Sequence, residues 1–187
     1  MSISARYPII EAVTAVAFAT QAAMVGADPA LLAQRLVLTA LLIALFGTDL
    51  ETQRLPNVLT IPGTVAGLVF SLWLPPGWMA SALGAALGAG ILLAVRWTWH
   101  RLKGVDAMGL GDVKMLAMIG AFLGWQQVWV VLFLASVAGA LIGVGLAALR
   151  GRSMQSRLPF GTFLALAAFA SSLAGDSFLH WYLGFYQ

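Results

Sequence analysis

Seven mainly apolar segments, separated by short polar stretches, dominate the sequence. A helix needs about 20 predominantly apolar residues to cross a bilayer, and most of the segments approach that length. No period-2 alternation of apolar and polar residues recurs along the chain, which disfavours a transmembrane β-barrel. The pattern predicts an all-α, polytopic membrane protein with a single domain over residues 1–187. The helices are expected over residues 9–26, 31–48, 58–74, 79–99, 112–124, 128–149 and 160–182.

The composition agrees with a membrane location. Hydrophobic residues make up 61% of the 187 positions and charged residues 9%, whereas soluble domains carry about 25% charged residues. So few charges cannot cover a water-exposed globule. The basic residues lie between apolar segments rather than on one soluble face, so the lipid bilayer is the expected partner and nucleic acid is not. The chain has no cysteine and two distant histidines, which excludes thiolate sites and argues against a histidine metal site.

The basic residues also predict the orientation. If the seven helices alternate in direction, nine of the ten lysines and arginines fall on one side and Arg35 falls on the other. The positive-inside rule makes the basic side, and with it the N-terminus, cytoplasmic. The nine residues are Arg6, Arg54, Arg96, Arg101, Lys103, Lys114, Arg150, Arg152 and Arg157. Trp181, Tyr182 and Tyr186 are placed as an interfacial aromatic belt.

Small residues in the fourth apolar segment predict close helix packing. Gly84 and Gly88 are four residues apart, a spacing that lets the backbones of two membrane helices approach each other. We interpret this spacing as a packing feature rather than a catalytic one.

Two aspartates lie on the predicted cytoplasmic side. Asp112 follows Gly109 and Gly111 at the start of the fifth helix, and Asp49 ends the second. An ionisable residue at the edge of a membrane helix is a candidate functional residue. Two neighbouring carboxylates titrate as a coupled pair, in which one takes a proton from water while the other polarises a carbonyl, as in aspartic proteases. The alternative is that each aspartate caps its helix at a wet interface.

Three further groups of polar residues are weaker candidates. Lys114 can lower the pKa of a carboxyl or bind substrate, or it can extend to the membrane interface. Glu51 and Arg54 can orient Asp49 or contact substrate, or they can form a solvated pair in a loop. Glu11, near the cytoplasmic end of the first helix, needs a partner or water.

The segments around the two aspartates resemble a known family. Gly109-Leu110-Gly111-Asp112 fits the GxGD pattern of membrane aspartyl proteases. Residues 108–117, 120–125, 49–51, 55–62 and 6–11 are similar to segments of the type IV prepilin leader peptidase family. Pro159-Phe160-Gly161 resembles the late Pro-Phe-Gly-Pro motif of that family, except that Thr162 replaces the final proline. The resemblance extends over nearly the whole chain.

The resemblance implies a function. The residues that match Asp49 and Asp112 are the catalytic pair of that family, and Gly109, Gly111 and Lys114 belong to the motif. Its members cut the leader from prepilins and pseudopilins of pilus and type II secretion systems, at the cytoplasmic face of the bacterial inner membrane. Full-length members add a cysteine-containing region, and many use S-adenosylmethionine to methylate the product. The chain is expected to be either a short, peptidase-only form or a member whose front part is missing from this sequence. Neither zinc, S-adenosylmethionine nor any other cofactor is expected.

Two functions of other classes remain open. A proton-coupled or cation transporter or channel can use the same carboxylates, although a proton relay needs ionisable groups at mid-membrane. A non-catalytic scaffold of a pilus or secretion assembly is the other alternative. In a scaffold, Asp49 and Asp112 would be interchangeable with asparagine.

Overall fold

The structure is a computed structural model that describes residues 6–105, 108–150 and 159–184. Its described residues form seven helices and no strand, which confirms the predicted all-α fold. Arg152, Arg157 and Tyr186, and the side chains of Arg6, Arg150, Trp181 and Tyr182, lie outside the described part of the chain. The helices are α1 (Arg6–Val25), α2 (Pro29–Thr52), α3 (Asn57–Phe70), α4 (Trp78–Lys103), α5 (Leu110–Leu123), α6 (Trp125–Arg150) and α7 (Phe160–Gly184).

The chain is a multi-pass membrane protein. Four helices, α1, α2, α4 and α6, are long and apolar enough to cross a bilayer. Helices α3 and α5 have 14 residues each. A helix of that length extends about 21 Å, which is less than the ~30 Å hydrocarbon thickness. The fifth helix, which was predicted over residues 112–124, is therefore shorter than the hydrocarbon thickness. Its first turn lies outside the four candidate membrane spans.

Helix α5 forms the centre of the bundle. It packs against α2, α3, α4, α6 and α7. Its side chains Met115, Leu116, Met118 and Ile119 are all 0% exposed. The outer helices instead carry exposed apolar side chains, such as Val16 on α1, because lipid rather than water surrounds them. The packing of α5 at the centre of the bundle fixes the position of its first turn, and therefore of Asp112.

Close packing of α4 on α5 confirms the expectation from the spaced small residues. A Cβ at Gly88 would lie 2.6 Å from the carbonyl oxygen of Leu116, and a Cβ at Gly84 would collide with the carbonyl oxygen of Gly120. Only a residue without a Cβ allows this approach. The hydroxyl of Ser81 also donates to the carbonyl oxygen of Ala121. These contacts hold α5 against α4.

The ends of α2 are defined by local hydrogen bonds. Asp28 is the N-cap, and its carboxylate accepts from the N–H groups of Ala30 and Leu31 at 3.0 and 3.1 Å. At the other end Gln53 adopts a left-handed φ of 52° and donates its N–H to the carbonyl oxygen of Asp49. Asp49 therefore lies in the last turn of α2.

A buried polar contact joins α1, α2 and α7. The amide nitrogen of Gln21 donates to the hydroxyl of Ser172 at 2.7 Å and to that of Thr39 at 3.3 Å. The Gln21 side chain is 0% exposed. Because buried polar groups need partners, this contact fixes α7 along α1 and α2, and with it the N-terminus of α7.

Candidate active site

Asp49 is bound by the N-terminus of another helix. Its carboxylate is 4% exposed, and the oxygen Oδ2 accepts from the backbone N–H of Thr162 at 2.7 Å and from the hydroxyl of Thr162 at 3.1 Å. The first N–H groups of a helix have no partner within that helix, and the helix dipole favours a negative charge there. The start of α7 therefore stabilises an anionic Asp49.

Gly161 makes this approach possible. A Cβ at this position would lie 2.8 Å from Oδ2 of Asp49 and 3.0 Å from its Cγ. Any side chain at position 161 would therefore push the carboxylate away from the helix. This segment resembles the Pro-Phe-Gly-Pro motif, but the resemblance does not predict that it lies beside Asp49.

Asp112 is held by its own helix. It is the third residue of α5, whose N-cap is Gly109, and the N–H of Gly109 donates to its carboxyl group. This bond is one half of a capping box. Burial of the carboxyl raises the pKa of Asp112 to about 6, the charge of Asp49 acts in the same direction, and the N–H of Gly109 acts in the opposite one.

The fold brings the two aspartates into electrostatic contact. The charge of Asp49 contributes to the raised pKa of Asp112, and Leu55 packs between the first turns of α5 and α7. A Cβ at Gly111 would lie 2.8 Å from Cβ of Leu55, and a Cβ at Gly161 would lie 3.0 Å from Cδ1 of the same leucine. The second glycine of the motif therefore makes room for the loop that follows α2.

Arg96 holds the loop in front of α5. One nitrogen of its guanidinium donates to the carbonyl oxygen of Met108 at 2.6 Å. In the sequence, Arg96 served only to predict membrane orientation, and its contact with Met108 was not predicted. The available signal was an arginine inside an otherwise apolar helix, since such a charge needs a partner.

Lys114 binds a neighbouring helix. Its ammonium group donates to Oδ1 of Asn57, at the start of α3, at 2.7 Å. Because the pKa of Asp112 is raised, a lowering effect of Lys114 does not dominate. The expected role of Lys114 in substrate binding stays a prediction.

The other candidates lie on the surface of the molecule. Glu51, Arg54 and Glu11 are all exposed, whereas Asp49 is buried. The groups found to hold Asp49 come from α7, and an orienting role for Glu51 or Arg54 stays a prediction. Contact of Glu11, Glu51 or Arg54 with substrate stays a prediction.

An apolar groove begins one helical turn from Asp49. It lies between α1, α2 and α7 and has a volume of about 440 Å³. Phe46, three residues before Asp49, and Ala165, three residues after Thr162, both line it. The groove offers an apolar surface next to the buried carboxylate.

The described residues hold no group of three or more histidine, cysteine, aspartate or glutamate side chains that could bind a metal ion. The expectation that the chain uses no cofactor stays a prediction.

The comparisons with known proteins agree on one family. The model of the type IV leader peptidase family matches residues 36–144, a range that includes Asp49 and Asp112. The chain is 40% identical over 185 residues to a prepilin leader peptidase/N-methyltransferase of Aeromonas salmonicida, which covers 97% of this chain and 62% of that protein. The protein of the same name from Pseudomonas aeruginosa is 36% identical over 188 residues, which covers 98% of this chain and 63% of the relative. The chain thus spans about three fifths of the length of these curated relatives. No solved structure matches it.

Proposed function

This chain belongs to the type IV leader peptidase family, and from that premise we propose that it is a membrane aspartyl endopeptidase with Asp49 and Asp112 as its catalytic pair. One observation carries the proposal. The buried carboxylate of Asp49 accepts two hydrogen bonds, and its charge helps to raise the pKa of the Asp112 carboxyl group to about 6. Two neighbouring carboxyl groups held in different environments are suited to act as base and acid.

In the proposed mechanism, Asp49 begins ionised and Asp112 begins protonated. Asp49 accepts a proton from a water molecule as the water oxygen attacks the peptide carbonyl carbon, and Asp112 donates its proton to the carbonyl oxygen. The resulting diol then breaks its C–N bond. Asp49 passes its proton to the leaving nitrogen, and Asp112 recovers a proton from a diol hydroxyl. The products are a carboxylic acid and an amine, and both aspartates return to their starting states.

The proposed substrates are prepilins or pseudopilins, whose leader would be cut at the cytoplasmic face of the bacterial inner membrane. The names of the relatives support this class of substrate, and the excess of arginine and lysine on one predicted side supports the orientation. The apolar groove beside Asp49 supports a substrate with an apolar segment next to the cut. The hydrolysis itself needs only water and the two carboxyl groups, so no cofactor is included in the proposal.

The experiment that tests the proposal compares the purified protein with its Asp49→Asn and Asp112→Asn variants on a prepilin substrate. Asparagine keeps the volume of aspartate but cannot exchange the proton, so each variant is expected to lose at least about 1,000-fold in kcat. Asp28→Asn is the matched control, because Asp28 caps the opposite end of α2 and asparagine is an equally good N-cap. Thermal unfolding checks that all four proteins are folded.

Normal cleavage by both Asp49→Asn and Asp112→Asn would overturn the catalytic assignment. A transporter or a scaffold would leave the prepilin uncut by all four proteins, including the parent.

A further inference from the structure

Among the hydrogen bonds found in the described part of the chain, two reach the carboxylate of Asp49, and both come from Thr162. Its N–H and its hydroxyl both donate to Oδ2 of Asp49, at 2.7 and 3.1 Å. Thr162 is itself 6% exposed, so water competes poorly for these bonds. Burial disfavours a charged carboxylate, and hydrogen bonds to the charged form favour it. The two bonds therefore offset the cost of burying a negative charge at Asp49.

Among the residues that the structure describes, no donor from another helix is found on the second carboxyl group. Asp112 accepts from the N–H of Gly109 in its own helix, and its pKa is nonetheless raised. When two neighbouring carboxyl groups share one proton, the proton stays on the group whose charged form is less stabilised. The geometry thus favours a charge on Asp49 and a proton on Asp112.

Position 162 of this chain carries two hydrogen-bond donors that the final proline of the Pro-Phe-Gly-Pro motif does not have. The Pro-Phe-Gly-Pro motif ends in proline, which has neither an N–H nor a hydroxyl, whereas the chain has threonine at position 162. Proline is tolerated in the first turn of a helix, and Thr162 is the third residue of α7. The position can therefore accept either residue without loss of the helix.

We propose that Thr162 is a positioning residue that keeps Asp49 ionised, so that Asp49 serves as the general base and Asp112 as the general acid. This inference rests on the proposed peptidase function. It assigns the division of roles between the two carboxyl groups to one residue, which lies outside both aspartate motifs.

Other titratable groups near α2 have to be considered, because they also shape a pH profile. Helices α1, α3, α5 and α7 pack against α2. Helix α3 and the described side chains of α7 contain no titratable residue. The titratable residues with described side chains on the other elements and near the end of α2 are Tyr7 and Glu11 on α1, Asp112 and Lys114 on α5, and Glu51 and Arg54. All of these stay unchanged when Thr162 is replaced, so differences among Thr162 variants isolate its two donors.

The test is the pH dependence of kcat/KM for cleavage of a prepilin by the parent and three variants. Thr162→Ser keeps both donors, Thr162→Val keeps only the N–H, and Thr162→Pro removes both. Activity falls at low pH when the base is protonated, so loss of donors is expected to move this acidic limb to higher pH. We expect a shift of about one pH unit for Thr162→Pro, a smaller one for Thr162→Val and none for Thr162→Ser. One unit on this limb corresponds to about a tenfold lower rate.

Thr64→Val is the matched control for loss of a threonine hydroxyl. The hydroxyl of Thr64 donates to the carbonyl oxygen of Thr60 within α3, at 2.8 Å, and not to a carboxylate. The acidic limb of the pH profile of Thr64→Val is expected to coincide with that of the parent. A shift of equal size in Thr64→Val and Thr162→Val would reject the inference, since it would show a general effect of the valine.

The failure of the inference differs from the failure of the proposed function. If the parent cuts the prepilin and the acidic limbs of Thr162→Val and Thr162→Pro match that of the parent, the role of Thr162 is wrong and the peptidase assignment stands. If the parent does not cut, both are rejected. Should Thr162→Pro fail to fold, the comparison of Thr162→Val with Thr162→Ser decides alone.

Discussion

Asp49 and Asp112 are both bound at the N-terminus of a helix, but they reach that position by opposite routes. Asp112 lies at the start of α5 and accepts from Gly109, three residues earlier in the same helix. Asp49 lies at the end of α2 and accepts from Thr162, 113 residues later in the chain. The first site is built by a local motif, and the second exists only when the bundle is assembled.

The two routes give the two carboxyl groups different chemistry. Asp112 has a raised pKa because burial outweighs its single bond to Gly109. Asp49 is the more buried of the two by its exposed surface, yet it has the N–H and the hydroxyl of Thr162 to stabilise a charge. The comparison teaches that the more deeply buried carboxyl group is the one held by donors from another helix.

Among the glycine variants, the largest expected effect comes from disrupting the Asp49 side of the comparison. Gly161→Ala places a Cβ 2.8 Å from Oδ2 of Asp49, so the carboxylate must move and lose its bonds to Thr162. We expect kcat for prepilin cleavage to fall about 100-fold, since misplacement by about 1 Å costs that much. The backbone of Gly161 is not left-handed, so alanine itself brings no strain there.

Gly47→Ala is the control for that variant. Gly47 lies two residues before Asp49 on α2, and a Cβ there would meet no atom within 4 Å. It is expected to cut prepilin as the parent does, and thermal unfolding should show both variants folded. Equal activity of Gly161→Ala and the parent would contradict the close approach of α7 to Asp49.

A smaller effect is expected from the two glycines on the Asp112 side. Gly111→Ala places a Cβ 2.8 Å from Cβ of Leu55, whereas Gly109→Ala meets its nearest atom, Oδ2 of Asp112, at an ordinary 3.7 Å. Cleavage assays should therefore show about a tenfold lower kcat for Gly111→Ala and a change of less than about twofold for Gly109→Ala. The opposite order would show that backbone freedom at Gly109, and not space at Gly111, is what the motif requires.

The sequence predicted the parts of the molecule that depend on local pattern. The seven helices follow from apolar length, and the close approach of α4 follows from Gly84 and Gly88. Each of these depends on residues within one segment. The predicted helix ends differ from the observed ones by a few residues because capping bonds, such as that of Gln53, decide them.

The contacts around Asp49 could not be predicted from the sequence. Thr162 was noticed as a departure from a motif, but its bond to Asp49 joins two helices far apart in the chain. The same holds for Arg96, which binds Met108 across a loop, and for Leu55, which packs on Gly111. Periodicity and composition carry no information about such pairings, because these depend on how the helices pack.

The measurement that tests the central claim most directly is the titration of Asp112 in the parent and in Asp49→Asn. Carbon-13 labelling of aspartate carboxyl groups gives one signal that disappears in Asp112→Asn, which assigns it. The account predicts a pKa of about 6 for Asp112 in the parent and a lower pKa in Asp49→Asn, because removing a neighbouring negative charge makes ionisation of Asp112 easier. An unchanged pKa of Asp112 in Asp49→Asn would show that the two carboxyl groups do not act on each other, and would contradict the proposed catalytic pair.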